Sequence, residues 1–367
     1  MEPICRREFI KTTLLSTACV SIRGLVRADD AVARLREIAA PKSLLVGSAV
    51  SYRELQQPAF TNLLAGQASI VVPENEMKWQ VIHPEPDRFD FTRGDALVSF
   101  AQAHGQKVRG HNLCWHNQVP RWLAQTATTE NAGDLLREHI AKVAGHFAGH
   151  IHSWDVVNEA VHVEDGRADG LRNSQWLRLL GPDYIGIAYR AAAQADSKAL
   201  LTYNDYDIEQ EGPKFDAKRA AVLRLLRSMR DQQIPIHALG LQSHLHATAE
   251  LPHWGALHDF MDAVEKLGLD IFVTELDVND SELTGDIHER DETVAKWYGD
   301  YLKNVLQHRS VKAVLTWGLT DRDSWLNGIS RQHNLPLPRP LLFDSDLEPK
   351  PAFDATAKAI SGAPVRS

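Results

Sequence analysis

WDVVNEA (residues 154–160) and VTELDV (residues 273–278) are the two segments that decide the predicted fold. Each is a short apolar run, rich in valine, that leads into a glutamate: Glu159 in the first segment and Glu275 in the second. Such a run is typical of a buried β-strand that ends in a polar residue. Because the carboxyl ends of the strands in a parallel barrel meet at one mouth, we expect both carboxyl groups to lie over the same opening.

Eight apolar runs of this kind follow residue 40, and amphipathic stretches with helical spacing separate them. Strands that alternate with helices favour a parallel sheet, and eight repeats favour its closure into a single (β/α)₈ TIM barrel of the α/β class. An open doubly wound sheet is the alternative, although the first run is not followed by a glycine-rich phosphate loop. The predicted strands are 44–50, 69–73, 107–113, 152–159, 199–204, 238–244, 271–277 and 313–319, and the clearest predicted helices are 134–147, 183–195, 216–230, 257–267 and 291–308.

The composition is ordinary for a globular domain, with 44% hydrophobic and 24% charged residues. The length of 367 residues fits one barrel, because such barrels take from ~200 to more than ~400 residues. The net charge is −8, and the sequence has no basic cluster. Nucleic acid is therefore not an expected partner.

Residues 1–28 are predicted to be an export signal of the twin-arginine type, and residues 29–367 the catalytic domain. RREFIK (6–11) matches the arginine motif, and the uncharged stretch 12–22 is too short to span a bilayer, which needs ~20 residues. The alternative is an amphipathic N-terminal segment. We expect an exported protein, periplasmic or secreted, that does not bind the membrane once the signal is removed. Cys114 would then be the one cysteine that remains, so no internal disulfide is expected.

Glu275 and Asp277 stand two residues apart in the seventh run, so their side chains project to one side of the strand. The sixth run ends with Gln242 and His244, which also share a side. We expect His244 to hydrogen-bond Glu275 through one ring nitrogen and Asp277 through the other, which would orient Glu275 and keep it ionised. A structural carboxylate network is the alternative for this strand taken alone.

Glu159 follows Asn158 at the end of the fourth run. A general acid must hold its proton until it meets the leaving oxygen, and repulsion from an ionised Glu275 favours this. Asn158 can donate a hydrogen bond to the sugar hydroxyl beside the reacting carbon. Two carboxyl groups that face each other in a polar cleft are the minimum for cleaving a glycosidic bond.

Tryptophans and polar side chains follow several other runs, as in ENEMKW (74–79), HNLCWHNQ (111–118) and the pair Trp317 and Trp325. This combination suits a sugar, whose apolar ring faces stack on indole while its hydroxyls take hydrogen bonds. We therefore expect a carbohydrate site at the mouth of the barrel.

Seven motifs together resemble the signature set of the glycoside hydrolase family 10 endo-β-1,4-xylanases, and the resemblance runs from about residue 40 to the end. It implies endo-hydrolysis of β-1,4-xylosidic bonds with retention of configuration, by double displacement, with Glu159 as acid/base and Glu275 as nucleophile. Retention predicts carboxyl groups about 5–5.5 Å apart. The motifs, in order, are ENEMKW, GHNLCWHNQ (110–118), WDVVNEA, NDY (204–206), LQSHL (241–245), VTELDV and WGLTDRDSW (317–325).

The resemblance also implies the substrate-binding residues, with xylan and xylo-oligosaccharides as partners, no cofactor, no metal and a monomeric protein. Asp277 would orient His244. Tyr206 would contact the leaving side. The reacting sugar would be held by His111, Asn158, Gln242 and His244 and enclosed by Trp317 and Trp325. The residues that hold this sugar together with its neighbour on the non-reducing side would be Glu74, Asn75, Lys78, Trp115 and Gln118.

Three alternatives remain at this point. A retaining β-1,4-glucanase or cellobiosidase of the same barrel type would use the same carboxylate pair. A non-catalytic carbohydrate-binding barrel would lack one of the carboxylates, and both are present. A metal-dependent hydrolase is favoured only by the pair His244 and His246. This pair stands at the end of the sixth run, whereas a metal-dependent barrel amidohydrolase carries such a pair at the first strand.

The remaining predictions concern Cys114, the helix histidines and two arginines of a loop. Cys114 and Asn112 depart from the family pattern, and we expect Cys114 to pack as a small hydrophobic residue. The helix histidines, His139 among them, are expected at the surface or at helix ends. In the loop 327–339, Arg331 and Arg339 are expected to contact substrate or face water.

Overall fold

Eight parallel strands close into a barrel in the computed structural model, which describes residues 32–366. Each barrel strand pairs with the next, and the last one pairs with the first. The predicted (β/α)₈ barrel is confirmed, whereas the predicted export signal at 1–28 lies outside the described residues. The strands are β1 Leu45–Val50, β2 Ile70–Pro73, β3 Lys107–Gly110, β4 Ser153–Asn158, β5 Leu200–Asp205, β6 Ala238–Leu241, β7 His244–His246, β8 Asp270–Asn279 and β9 Val311–Thr316.

Helices follow the strands and cover the outside of the barrel. The predicted helix 291–308 begins earlier, at residue 287, because Asp286 and Glu289 form a capping box in which each side chain accepts the other's backbone N–H at 3.0 Å. The helices are α1 Leu35–Ala39, α2 Pro58–Gln67, α3 Trp79–Ile82, α4 Thr92–Ala103, α5 Arg121–Thr126, α6 Ala132–His146, α7 Gln175–Leu180, α8 Asp183–Ala195, α9 Pro213–Asp231, α10 Gly255–Lys266, α11 Ile287–Val305, α12 Leu326–His333 and α13 Pro351–Gly362.

The sixth and seventh predicted strands differ from the observed ones. The chain leaves the barrel after β6, turns at Ser243, whose φ is 62°, and resumes as the short strand β7. β7 pairs with the end of β8, which continues to Asn279 instead of ending at Asp277. Glu275 therefore lies inside a ten-residue strand. It still faces the mouth, because the pairing of β8 with β6 ends at Val273.

The interior of the barrel combines an apolar layer with one buried ion pair. Ile70, Val72, Phe272 and Leu315 are among the residues of the apolar cluster between the strands. Arg109 on β3 and Asp155 on β4 are both 1% exposed and form a direct ion pair. Since buried charges are costly unless paired, this contact is stable only while both partners are present.

The structure differs from the predictions for His139 and Arg339 and agrees with the prediction for Cys114. His139 lies in the middle of α6 and is fully buried, with its Nδ1 3.2 Å from Nδ1 of His83, so its predicted position at the surface or at a helix end is wrong. Burial holds the pKa of His139 well below its usual value. Arg339 neither faces the cleft nor lies free in water, because it forms two hydrogen bonds with Asp291, at 2.9 and 2.8 Å. Cys114 is buried, as predicted. Within residues 32–366, the helices are all too short or too polar to cross a membrane.

Candidate active site

A cleft of about 630 Å³ opens at the carboxyl ends of the strands. Every residue predicted to bind substrate or to act as acid or nucleophile lines it, and only Asp277, predicted to orient His244, lies behind it. A larger groove, of about 740 Å³, runs along α8 and α9 and contains none of these residues. The cleft is lined by Glu74, Asn75, Lys78, His111, Trp115, Asn117, Gln118, Asn158, Glu159, Tyr206, Asp207, Lys214, Gln242, His244, His246, Glu275, Trp317 and Trp325.

Glu275 is only 5% exposed, and both of its oxygens have hydrogen-bond partners. Nδ2 of Asn204 donates to Oε1 at 2.7 Å, and Nε2 of His244 lies 3.2 Å from Oε2. Burial alone would raise the pKa of Glu275, but the hydrogen bond from His244 and the nearby positive charges lower it below its usual value. The side chain is therefore held as an oriented carboxylate.

His244 contacts two carboxylates, as the spacing of Glu275 and Asp277 predicts. Its Nδ1 lies 3.0 Å from Oδ1 of Asp277. Burial alone would lower the pKa of His244, but Asp277 and Glu275 raise it well above its usual value, so both ring nitrogens carry protons. The second oxygen of Asp277 accepts a hydrogen bond from the Trp325 indole at 2.7 Å. Asp277 thus fixes both His244 and Trp325.

Glu159 lies opposite this group in an uncommon backbone conformation. Its φ is 58°, in the left-handed region that non-glycine residues rarely adopt and that is enriched at functional sites. The backbone N–H of Glu159 donates to the Asn204 carbonyl at 2.9 Å. Its Oε1 accepts hydrogen bonds from Asn158 and Gln242, both at 3.1 Å. The free edge of the carboxyl group therefore faces the cleft.

The strand pairing changes register next to both glutamates, just before Glu159 at the end of β4 and around Glu275 within β8. The pairing of β4 with β5 shifts between Asp155 and Val157, and that of β8 with β9 shifts between Val273 and Leu276. An extra residue in one strand re-aims the side chains that follow it. The sequence carries no signal for these irregularities, because the apolar runs look continuous.

Asn204, near the end of β5, joins the two halves of the site, a role that was not predicted from the sequence. It donates to Oδ1 of Asn158 at 2.8 Å as well as to Glu275, and its own oxygen accepts from Thr274 at 2.7 Å. A Cβ at Gly240 would lie 2.2 Å from this oxygen, so only glycine allows the approach. The NDY motif (204–206) was the available signal for Asn204.

The buried ion pair beneath the mouth orients His111. Oδ2 of Asp155 lies 2.9 Å from Nδ1 of His111, while Arg109 occupies the other Asp155 oxygen. The remaining ring nitrogen, Nε2, faces Asn112 at 3.3 Å. Asp155 and Arg109 are thus supporting residues. Asp155 stands in the motif WDVVNEA, whereas Arg109 stands one residue before the motif GHNLCWHNQ.

One wall of the cleft combines a buried lysine with two indole rings. Nζ of Lys78 lies 5.1 Å from the centroid of the Trp115 ring and 5.8 Å from that of Trp317, and it donates to Asn75 at 3.2 Å. Gln118 donates to the same Asn75 oxygen at 3.3 Å. Burial lowers the pKa of Lys78, against the opposing charges of the glutamates around it. This wall offers stacking faces and hydrogen-bond donors to a sugar.

The opposite wall contains Tyr206, which is held by two cations. Arg172 donates to the Tyr206 hydroxyl at 2.7 Å and to the Glu159 carbonyl at 2.8 Å. Nζ of Lys218 lies 3.4 Å from the centroid of the Tyr206 ring and 2.7 Å from Oδ1 of Asp205. No role was predicted for Arg172 or Lys218, because both lie outside the sequence motifs.

His116 is a further cleft neighbour without a predicted role. Its Nδ1 lies 3.9 Å from Oε2 of Glu159. Burial, together with the charge of Arg172, lowers the pKa of His116 to about 4. A neutral imidazole therefore stands beside Glu159 at neutral pH, and its position in GHNLCWHNQ was the available signal.

Potential metal ligands meet elsewhere in the described part of the chain. Asp262, Glu265 and His308 bring ligand atoms within 4.8 Å of one another, on α10 and just after α11, and none of them lines the cleft. His244 and His246 do line it, but both nitrogens of His244 already face carboxylates.

The comparisons with known proteins point in one direction. The family model described as Glycosyl hydrolase family 10 matches residues 34–359. Endo-1,4-beta-xylanase B of Paenibacillus barcinonensis is 35% identical over 329 residues, which cover 85% of this chain and 94% of that protein. Native xylanase 10B from Thermotoga maritima has a TM-score of 0.81 at 33% identity and covers 89% of this chain and 98% of its own. Xylanase 10B from Thermotoga petrophila RKU-1, in complex with xylobiose, has a TM-score of 0.80 at 32% identity, with 89% and 97% covered.

Proposed function

The chain belongs to glycosyl hydrolase family 10, and from this membership we propose that it is an endo-1,4-β-xylanase. It hydrolyses internal β-1,4-xylosidic bonds of xylan and xylo-oligosaccharides with retention of configuration. Its proposed machinery consists of Glu275 as nucleophile and Glu159 as acid/base, without a metal or cofactor.

In the first step, the Glu275 carboxylate attacks the anomeric carbon of the sugar on the non-reducing side of the cleaved bond. Glu159 gives its proton to the glycosidic oxygen, so the reducing-end product leaves as a neutral alcohol and a covalent glycosyl-enzyme forms. In the second step, Glu159 accepts a proton from water, whose oxygen attacks the same carbon and releases Glu275. Two inversions give net retention.

One observation carries the proposal: a continuous hydrogen-bonded chain joins the two glutamates across the cleft. Glu159 accepts from Asn158, Asn158 accepts from Asn204, and Asn204 donates to Glu275. Such a chain fixes the separation of the carboxyl groups, which the retaining mechanism requires to be small. The lowered pKa of Glu275 supports its role as the anionic partner.

The surroundings support defined roles for the other cleft residues. Lys78 and Trp115 form a wall that suits the sugars on the non-reducing side, and Tyr206 suits the leaving side. His244 and Asp277 position the nucleophile. The Thermotoga petrophila structure holds xylobiose, which supports xylo-oligosaccharides as ligands of this cleft. A monomer suffices for these roles, because all of these groups belong to one chain.

The substrate is tested with xylohexaose and cellohexaose, each incubated with the protein comprising residues 29–367. Internal cleavage of xylohexaose to products that are initially β-anomers is the expected result. Preferred cleavage of cellohexaose would show that the substrate is a β-glucan, which the same pair of carboxylates would cleave. If neither were cut, a binding protein without activity would replace the proposal.

The roles of the two carboxylates are tested by replacing each. We expect Glu275→Ala to lose nearly all activity and to regain some with azide, which gives an inverted product. Glu159→Ala should retain far more activity on substrates with good leaving groups than on xylan, because those need no proton. An equal loss on both substrates would contradict the acid role of Glu159.

We also propose that residues 1–28 direct export by the twin-arginine route, to the periplasm or the medium. The motif RREFIK (6–11) supports this. Replacing Arg6 and Arg7 together by lysine should retain the protein in the cytoplasm of a bacterial host, as judged by fractionation. Undiminished export of the double variant would contradict the proposed route.

A further inference from the structure

A second pocket, of about 610 Å³, opens beside the cleft and shares Trp325 with it. Three arginines line this pocket: Arg53 from the loop after β1, Arg322 from the loop after β9, and Arg331 from α12. The remaining lining groups are mostly polar. We call it the arginine pocket, and the proposed catalytic machinery uses none of its arginines.

The arginine pocket carries a surplus of positive charge. Asp323 is the one carboxylate among its described lining residues, and it is already paired with Arg53 and with Nε of Arg322, the latter at 2.9 Å. Arg322 also donates to Gln57 at 2.7 Å. Within residues 32–366, the guanidinium of Arg331 has no hydrogen-bond or ion-pair partner. Three guanidinium groups therefore face one carboxylate, and N–H donors remain available for a second anion.

The pocket lies close enough to the cleft for one polysaccharide to occupy both. The Trp325 ring separates the two spaces, and its indole nitrogen is anchored to Asp277 behind the nucleophile. Burial raises the pKa of Glu74, a residue of the cleft, and the charge of Arg53 is among the effects that oppose this rise. A substituent on a sugar near Trp325 would thus point toward the arginines.

We propose that the arginine pocket binds the carboxylate of a uronic acid branch on the xylan chain, so that acid-substituted xylan is a preferred substrate class. The inference rests on the proposed xylanase function. A carboxylate can accept paired hydrogen bonds from the planar guanidinium fork of arginine, and Arg331 has its donors free for this. A neutral branch of the same size would gain no charge-assisted bond there.

The test compares glucuronoxylan with the same polymer after chemical reduction of its carboxyl groups, which leaves a neutral branch of nearly equal size. The measured quantity is the ratio of kcat/KM on the two polymers. We expect the wild-type protein to prefer glucuronoxylan by about fivefold at low salt, the effect of one partly exposed ion pair. The preference should shrink as salt is raised, because exposed charges are screened.

Arginine variants separate this site from general charge effects. Arg331→Gln and Arg53→Gln should each bring the ratio toward one. Arg227→Gln, on the exposed surface of α9, is the matched control and should keep the wild-type ratio.

Two results would overturn the inference: a wild-type ratio of one, or a ratio that Arg331→Gln leaves unchanged. If the ratio is one and free glucuronate nevertheless binds, the pocket is assigned to a free anion. Activity on unbranched xylohexaose is measured alongside. Its absence would refute the proposed function, whereas activity without a carboxylate preference would refute only this inference.

Discussion

His244 supplies the positive charge that keeps Glu275 ionised. Its imidazolium lies 3.2 Å from Oε2 of Glu275, and Asp277 stabilises that protonation state from the other side. The pKa of Glu275 lies below its usual value of 4.5 because the effect of burial, which raises it, is outweighed by His244, His111 and Asn204 together. A buried carboxylate would otherwise take up a proton at mildly acidic pH.

We therefore expect His244→Gln to shift the acidic limb of the pH profile of kcat/KM to higher pH. This limb reports the ionisation of the free enzyme's nucleophile. The rate at the optimum should fall roughly 10- to 100-fold, as for the loss of a hydrogen bond to a charged group. The profile is measured on an aryl xylobioside, with circular dichroism to establish the fold. An unmoved acidic limb would show that His244 does not set the ionisation of Glu275.

At the scale of elements, the sequence predicts the strands well because most barrel strands are short runs rich in apolar residues between amphipathic stretches. It also predicts the cleft residues, because they follow those runs and the barrel geometry brings the strand ends together. The turn at Ser243 and the extension of β8 to Asn279 were not predictable, since they depend on pairing between β7 and β8.

The supporting residues of the site were missed for a related reason. Asn204 takes its position from the space left by Gly240, and Arg172 from a loop that folds back over Glu159. The register shifts in β4 and β8 likewise arise from contacts between strands. Local sequence patterns carry the strand identity, whereas these features depend on neighbours that are distant in the chain.

The short 3₁₀ helix Glu54–Gln56, after β1, contains a buried acid that titrates near neutrality. Glu54 is 3% exposed, and its Oε2 accepts hydrogen bonds from the Ser51 backbone at 2.7 Å and the Ser51 hydroxyl at 2.8 Å. Burial, aided by Asp323 and Glu74 and opposed by Ser51, raises the pKa of Glu54 from 4.5 to about 7. The folded state then binds this proton more tightly than the unfolded state does, so stability falls as pH rises from 4.5 to 7.

We expect Glu54→Gln to remove this loss. Relative to wild type, the variant should gain up to about 3 kcal/mol of unfolding free energy between pH 4.5 and pH 8, from a pKa shift of about 2.5 units at 1.36 kcal/mol each. Urea denaturation at both pH values measures the gain. Glu37→Gln, at an exposed position on α1, is the control. A constant difference between variant and wild type across the range would show that Glu54 does not titrate there.

At the scale of the whole molecule, a buried ion network holds the end of the chain to the barrel. Lys350, just before α13, donates to the Arg339 carbonyl at 2.6 Å and pairs with Asp321 at 2.9 Å and with Asp291 of α11 at 3.2 Å. α13 packs against α11 and also against α1. The network therefore joins the loop after the last strand to the helix that closes the outer layer.

Replacing Lys350 by methionine should destabilise the protein strongly, because it removes the nearest cation of the buried Asp321 carboxylate, whereas Asp291 keeps its hydrogen bonds with Arg339. Removal of one partner of a buried pair costs roughly 3–5 kcal/mol. Burial, opposed by Lys350, already raises the pKa of Asp321 to about 6. At pH 5 this carboxyl group is mostly protonated, and at pH 8 it is charged, so the loss of stability should be larger at pH 8.

The control is Lys358→Met, on the exposed face of α13, which should change stability by less than about 0.5 kcal/mol. Chemical denaturation of both variants at the two pH values measures the difference, and an equal loss at pH 5 and pH 8 would show that the charge of Asp321 does not depend on Lys350.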